Sequence, residues 1–461
     1  MKGMRWLVLI LVLVVAIAGG AYLYAGRLPG PTITITQPDR FMGRATPVDI
    51  VIEAPGGSLS ALEVAVRQGE RLQTVSTLSA QGPLTLTQED ASRIRLTGSL
   101  GAEAIPELTE GQASIEVSAT RPVLFDLRTA TSVATRNVEV RLTPPRLSVL
   151  SSFHYVNLGG AELIVYRVTP DVERTGVRVG ELRYPGYAVA GGDAGVKAAF
   201  FALRYDQDLN APLSLYAEDA AGNTATIPFD HRVFPQTFRR SRIDVPDSFL
   251  ERVVPAILDQ VPDMRAEDEG DLLGAYLRIN GELRDRNAST LVDLAARTAP
   301  EMLWRGPFRQ LTNSQVESGF ADYRTYFHGD QEIDQQVHLG FDLAVTANVP
   351  IEAANRGTVV YADYLGIYGN CVVLDHGMGL QSLYAHLSSI DVAEGDQVEL
   401  GQVIGRSGMT GLAGGDHLHF TMLLQGHAIN PVEWWSPQWI EDRVLRKLRE
   451  VGGAQPVAAG P

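Results

Sequence analysis

Hydrophobic and polar positions change period along this chain, and each change marks an element. Lys2 and Arg5 precede an uncharged run from Trp6 to Gly26. About 20 apolar residues, rising 1.5 Å each in a helix, span a bilayer core. The preceding charges favour a cytoplasmic start, so residues 1–27 read as a signal anchor or transmembrane helix. Gly19, Gly20 and Ala21 are also small enough for signal-peptide cleavage. Either reading exports the rest of the chain. After Leu28-Pro29-Gly30-Pro31 the period becomes two. Thr32–Thr36, Val48–Glu53, Leu62–Val66 and Val138–Leu142 read as strands, with Pro55-Gly56-Gly57 as a turn. Short strands separated by turn signals predict a β-sandwich-like module over 28–143.

A second β module is expected over 144–238. It contains Leu163–Val168, then Leu213–Asp219, the turn Ala220–Asn223 and Thr224–Ile227. This hairpin is similar to the last two strands of immunoglobulin-like modules in extracellular bacterial proteins. From about 244 the period approaches that of a helix. Phe249, Val253, Ile257 and Val261 recur every fourth residue, Ser248 and Glu251 form a capping-box pattern, and Pro255 predicts a kink or break. Leu272 to Leu283 predict a second helix and Leu291 to Ala296 a third, giving a helical connector over 239–304. The last domain, 305–440, has strand-like runs at Gly357–Tyr361, Cys371–Leu374, Leu380–Tyr384 and His417–Leu424 and a turn-and-strand unit at Val398, Gly401, Gln402 and Val403, an antiparallel β pattern. A helix over Pro437–Arg449 and a Gly, Ala and Pro tail from Gly452 fill 441–461. The fold class read from the sequence is therefore multidomain and mainly β.

Composition narrows the function. The 461 residues carry a formal charge of −15, without the basic patch that neutralises phosphates, which excludes nucleic acid as a partner. The single cysteine, Cys371, forbids an intramolecular disulfide and sits in an apolar strand, where it reads as a small core residue.

Of nine histidines, six fall between 338 and 427. His417 and His419 are two apart in a predicted strand and share a face. His338 and Asp342 place an imidazole and a carboxylate four residues apart. Zinc favours such ligands, and a catalytic site keeps one position open for water.

His338-x-x-x-Asp342, Tyr384-Ala385-His386-Leu387 and Gly415-x-His417-Leu418-His419-Phe420, in that order, resemble the lysostaphin/LytM-type zinc metalloendopeptidases. Pro350–Ala354, Gly357–Val360, Asp375-His376-Gly377, Glu394–Val398, Gly405 and Thr410-Gly411 match too. The resemblance covers about 306–436. It implies Zn2+ held by His338, Asp342 and His419, with His386 and His417 as catalytic residues beside the zinc-bound water. It further implies hydrolysis of peptidoglycan stem peptides or cross-bridges. Which histidine is the base is left open. Arg324 and Tyr326 lie in the family's arginine-containing entry segment and are candidate groove residues. His376 reads as a turn residue, His328 and His427 as loop residues, and Trp434 and Trp435 as packing.

An alternative reading is an exported non-catalytic or latent regulator that activates another wall hydrolase. Family members of that kind have lost ligands, whereas all five site residues are present here. The helical connector is a candidate element for latency. The β modules are expected to act as spacers or to hold an envelope protein partner. The expected location is the inner or cytoplasmic membrane, single-pass, with the bulk of the chain in the periplasm or cell envelope.

Overall fold

The computed structural model describes residues 2–54, 58–80, 82–124, 126–265 and 270–452. The expected turn at Pro55-Gly56-Gly57 and the tail beyond Gly452 lie outside them. The chain divides into two compact units. One is Met1–Pro145 with Asp171–Glu173 and Glu218–Ala225, and the other comprises the remaining residues to Pro461.

In the first unit, Lys2–Ala25 is one helix. Its segment Met4–Ala25 has a mean hydropathy of 2.6, is exposed over most of its length, and is long enough to cross a membrane. Two sheets follow. One runs in the order Thr32–Gln37, Thr46–Glu53, Arg93–Leu100, Leu84–Gln88, and the other contains Ala61–Gln68, Gly111–Val123 and Arg128–Val140. Alternation explains how they pack: Val48, Ile50 and Ile52 point inward while Pro47 and Glu53 are exposed. With Val64, Val66, Ile115 and Val117 of the other sheet they form a single core, the two-layer arrangement of a sandwich.

The second unit opens with another β region. Leu147–Val149, Ala161–Val168, Val196–Ala202 and Tyr187–Ala188 form one sheet, and Leu182–Pro185, Val172–Val179, Leu213–Asp219 and Thr224–Pro228 another. Ala161–Val168 is buried at every position except Arg167. A strand covered on both faces loses alternation, and here part of the cover is the C-terminal helix. Its Lys447 is 2% exposed and donates to Glu162 Oε1 and Leu163 O, both at 2.8 Å. Glu162, also fully buried, accepts from the Tyr155 and Leu163 backbone N–H groups. Nearby, buried Glu433 accepts from Asn157 Nδ2 at 2.8 Å and Ala161 N at 2.7 Å. Burial pushes its carboxyl up to about 7.

The connector differs from its sequence reading in several ways. It begins with a strand, Arg240–Asp244, paired parallel to Asp322–His328. The helix Asp247–Gln260 contains Pro255 without ending there. Its cap is Pro246 with no side-chain hydrogen bond, so the Ser248/Glu251 capping box does not form. The second and third expected helices are one helical run, because Leu272–Arg278 continues through a π-helical turn, Ile279–Leu283, into Arg284–Ala295. That turn absorbs Asn280 and Gly281, and the Asn280 side chain anchors to Asp334 at 2.6 Å. The C-terminal helix contains a similar π-helical turn at Glu441–Leu445.

The last β domain is built on an eight-stranded sheet. Its central order is Gln315–Ser318, Phe341–Ala344, His417–Leu424, Leu380–Leu387, Asn370–Asp375, Gly357–Tyr364. Adjacent pairs in this series are antiparallel. Cys371 lies in its core, fully buried, and burial raises its thiol. Trp434 packs on Trp304, Phe308 and Phe200, and Trp435 on Phe341 and Phe420.

His376 is fully buried beneath this sheet. Its Nδ1–H donates to Arg356 O at 2.6 Å and Nε2 pairs with the Ser382 hydroxyl at 2.7 Å. Burial lowers its pKa from 6.5 to about 4. Above pH 6.5 the ring is neutral folded and unfolded, so it adds no pH dependence. Between 6.5 and 4 only the unfolded chain takes the proton, so stability falls with pH, by about 3 kcal/mol in all. In denaturant titrations, the advantage of the wild type over His376→Gln should therefore shrink between pH 7 and pH 4. An unchanged difference would contradict this reading.

Candidate metal centre

Two adjacent strands set the centre. Asp342 and His419 are direct cross-strand partners, and Ala344 pairs with His417. The period-two geometry that puts His417 and His419 on one face therefore aims both at Asp342. His338 ends the Gln331–His338 strand, and Leu339-Gly340 returns the chain to Asp342. His386 comes from the neighbouring Leu380–Leu387 strand, near its end.

His338 Nε2, Asp342 Oδ1 and His419 Nδ1 form a triangle with edges of 2.9, 3.0 and 3.0 Å. All three residues are buried. Their outer atoms fix the tautomers. His338 Nδ1–H donates to Gly319 O at 3.1 Å, which leaves Nε2 with its lone pair facing the triangle. Thr421 Oγ1 donates to Leu339 O at 3.1 Å and so accepts from His419 Nε2–H at 3.0 Å, leaving His419 Nδ1 unprotonated. Two imidazole lone pairs and a carboxylate oxygen thus converge in a buried place. They suit a cation and repel one another without one, and the N,N,O donor set fits zinc.

His386 and His417 stand beside the triangle, with ring centroids 4.9 Å apart. The Nδ1–H of His386 donates to Thr410 O at 2.8 Å and that of His417 to Gly415 O at 2.9 Å. Each keeps Nε2 free of those bonds, and His417 Nε2 reaches to 3.4 Å from Asp342 Oδ1. His386 has φ of +62°, a conformation uncommon for a non-glycine residue and often found at functional positions.

Burial would raise the Asp342 carboxyl, but His338, His417 and His419 hold it well below the usual range. Burial lowers His419 to about 4 against the pull of Asp342. Burial lowers His386 too, and His417 and His419 add to that. At His417 burial opposes protonation, but Asp342 prevails and the pKa rises.

The structure brings together all five residues singled out from the sequence. Arg324 joins them, with Nη2 donating to Asp342 Oδ2 at 2.8 Å. Tyr326 lines the same cleft. His376 lies in its own buried network. His328 and His427 sit in strands rather than loops, His328 donating from Nδ1 to Val245 O at 2.8 Å. Thr421 went unread in the sequence, although it continues the period-two face of His417 and His419. Gly340 was also missed. A Cβ there would come within 2.6 Å of the His419 ring and 2.5 Å of Thr421 Oγ1. Gly340→Ala is expected to tilt His419 and weaken metal affinity by about 10- to 100-fold, measured by competition with a chromogenic chelator. Unchanged affinity would show that the ring tolerates the methyl.

The cleft holds about 280 Å³. One side is metal-centre residues. The other comes from the connector and its preceding strand: Ile243, Asp244, Val245, Phe249, Tyr276 and Arg284. Arg252 of the same helix donates to Ala413 O at 2.9 Å, tying the connector to the glycine-rich loop before His417.

A model of Peptidase family M23 matches residues 336–431, the segment carrying the five residues. Residues 336–431 are a peptidase M23 domain. Among curated relatives, the DD-carboxypeptidase/endopeptidase Mpg of Neisseria meningitidis is 40% identical over 21% of this chain and 22% of its own length. The peptidoglycan DD-endopeptidase ShyA of Vibrio cholerae is 29% identical over 38% of this chain and 37% of its own. The murein hydrolase activator EnvC of Escherichia coli is 36% identical over 23% of this chain and 26% of its own. The match to each of these relatives thus spans well under half of its length. The M23 domain is of a hydrolase kind whose relatives include both peptidoglycan endopeptidases and an activator.

Proposed function

We propose that this protein is a zinc-dependent endopeptidase that hydrolyses peptide cross-links of bacterial peptidoglycan. The observation that carries the reading is the complete, tautomer-fixed donor triangle of His338, Asp342 and His419, with His386 and His417 beside it. Zinc bound by these three residues would supply Lewis acidity and a water of lowered pKa. The remaining work falls to the chain. His386 and His417 present Nε2 on the cleft side of the triangle. One takes a proton from the attacking water and passes it to the amide nitrogen, which leaves as an amine when the C–N bond breaks, and the other, protonated, donates to the carbonyl oxygen as it gains charge. Thr410 O and Gly415 O hold the two rings in the required tautomer. Arg324 orients Asp342 through its outer oxygen.

The apolar helix at the N-terminus fits a single-pass anchor in the inner or cytoplasmic membrane, with a cleaved exported form as the variant of that reading. The domain division proposed is 1–27, 28–143, 144–238, 239–304, 305–440 and 441–461, with β modules, immunoglobulin-like in the second case, carrying the peptidase across the envelope. A second reading, a latent enzyme or an activator of another hydrolase, is favoured by the connector residues that wall the cleft and by the EnvC likeness. The test is peptide release from purified peptidoglycan, with chelator and then with zinc restored. The endopeptidase reading expects release that stops and returns. Absence of release by zinc-loaded protein favours the second reading.

A further inference from the structure

We propose that Arg284 is a substrate-recognition residue that binds a free carboxylate of the peptide, so that the cleft selects anionic peptide over uncharged chain. The proposal rests on the endopeptidase reading and adds the substrate class.

Arg284 belongs to the connector, outside the matched segment 336–431, yet it lines the same cleft as the metal triangle. Its guanidinium is fixed from behind. Nε donates to Asn280 O at 3.0 Å and Nη2 to Asn280 Oδ1 at 2.6 Å, while Asn280 is itself held by Asp334. A guanidinium has five N–H groups, and these bonds engage one on Nε and one on Nη2. The end-on edge of Nη1 and Nη2, the edge that takes a carboxylate through two parallel bonds, is left without a partner among the described residues.

The charges around it point the same way. Two carboxylates line the cleft. Asp342 is engaged by Arg324 and the histidines, and Asp244 by Arg242 at 3.0 Å. No carboxylate among the described residues lies within ion-pair distance of Arg284. The walls of the cleft it lines include Phe249, Tyr276, Ile367, Tyr368 and Leu412, and apolar walls strengthen a charge pair by lowering the local dielectric. A pre-oriented, half-buried guanidinium with a free fork edge matches the geometry of a carboxylate better than that of any neutral group. At about 280 Å³ the cleft is at the small end of ligand sites, so a carboxylate held by Arg284 lies close to the bond presented to the metal centre. A run of glycines joined by amides offers no such group, whereas a stem peptide with a free C-terminus does.

The experiment uses the full chain and two synthetic cross-linked stem peptides, identical except that one ends in a carboxylate and the other in a carboxamide. Hydrolysis is measured on zinc-loaded protein, and equilibrium binding on zinc-loaded and zinc-free protein. Wild type is expected to prefer the carboxylate by about 10- to 100-fold, expressed in KM more than in kcat and present in binding without zinc. Arg284→Gln removes the preference, and Arg284→Lys restores part of it. Equal affinity of wild type for the two peptides, failure to bind either, or a preference that survives in folded Arg284→Gln overturns the proposal. Binding preference without hydrolysis of either peptide supports Arg284 as the anion site and counts against the endopeptidase reading instead.

Discussion

Asp342→Asn is expected to lower peptide release from peptidoglycan by on the order of 10³-fold or more while the chain stays folded. The substitution keeps size and shape and removes the negative charge. Asp342 is where four interactions meet: Oδ1 faces His338 Nε2, His419 Nδ1 and, at 3.4 Å, His417 Nε2, and Oδ2 accepts from Arg324. A neutral amide there is a poorer metal ligand and leaves the Arg324 side chain, 19% exposed, with the more distant Asp322, 3.8 Å away, as its remaining anion. Metal content should fall together with rate. Circular dichroism matching the wild type would show that the loss is local. A variant that keeps both zinc and rate would mean that Asp342 is not a ligand.

Lys447→Ala carries the largest expected effect on stability. It removes the nearest cation from Glu162, which is 0% exposed and keeps two backbone N–H donors and, 3.5 Å away, Arg443. Burial already raises the Glu162 carboxyl and lowers the Lys447 ammonium, so each charge depends on the other. Breaking one side of a buried pair costs about 3–5 kcal/mol. Lys447→Met paired with Glu162→Gln should recover much of that loss, because no uncompensated charge is left behind. Denaturant titration of the two variants beside the wild type decides between the pair and simple side-chain packing. A loss below about 1 kcal/mol in Lys447→Ala would mean that water reaches Glu162.

What could be read from the sequence follows from range. His417 and His419 share a face because strands alternate, a rule acting over two residues, and Thr421 obeys the same rule. That Asp342 lies opposite His419 depends on pairing between strands 77 residues apart, which no local pattern encodes. The stripe of Phe249, Val253 and Ile257 was legible as apolar helix, and the structure buries it in a core with Tyr326 and Ile367. What that core would leave beside it, a cleft wall containing Arg284, was not legible. A helix over Pro437–Arg449 was legible, but that a carboxylate 285 residues earlier makes its Lys447 a core residue was not. At Pro255 the break does not occur: the helix runs through it, with Leu250, Val253, Val254 and Ile257 buried on one face.

The most direct test of the zinc peptidase reading is zinc content and muropeptide release measured together on residues 28–461 and on the same chain with His419→Ala. One equivalent of zinc and release of cleaved cross-linked peptides are expected of the wild type, with both lost in the variant. Zinc bound without release, or release undiminished in His419→Ala, would contradict it.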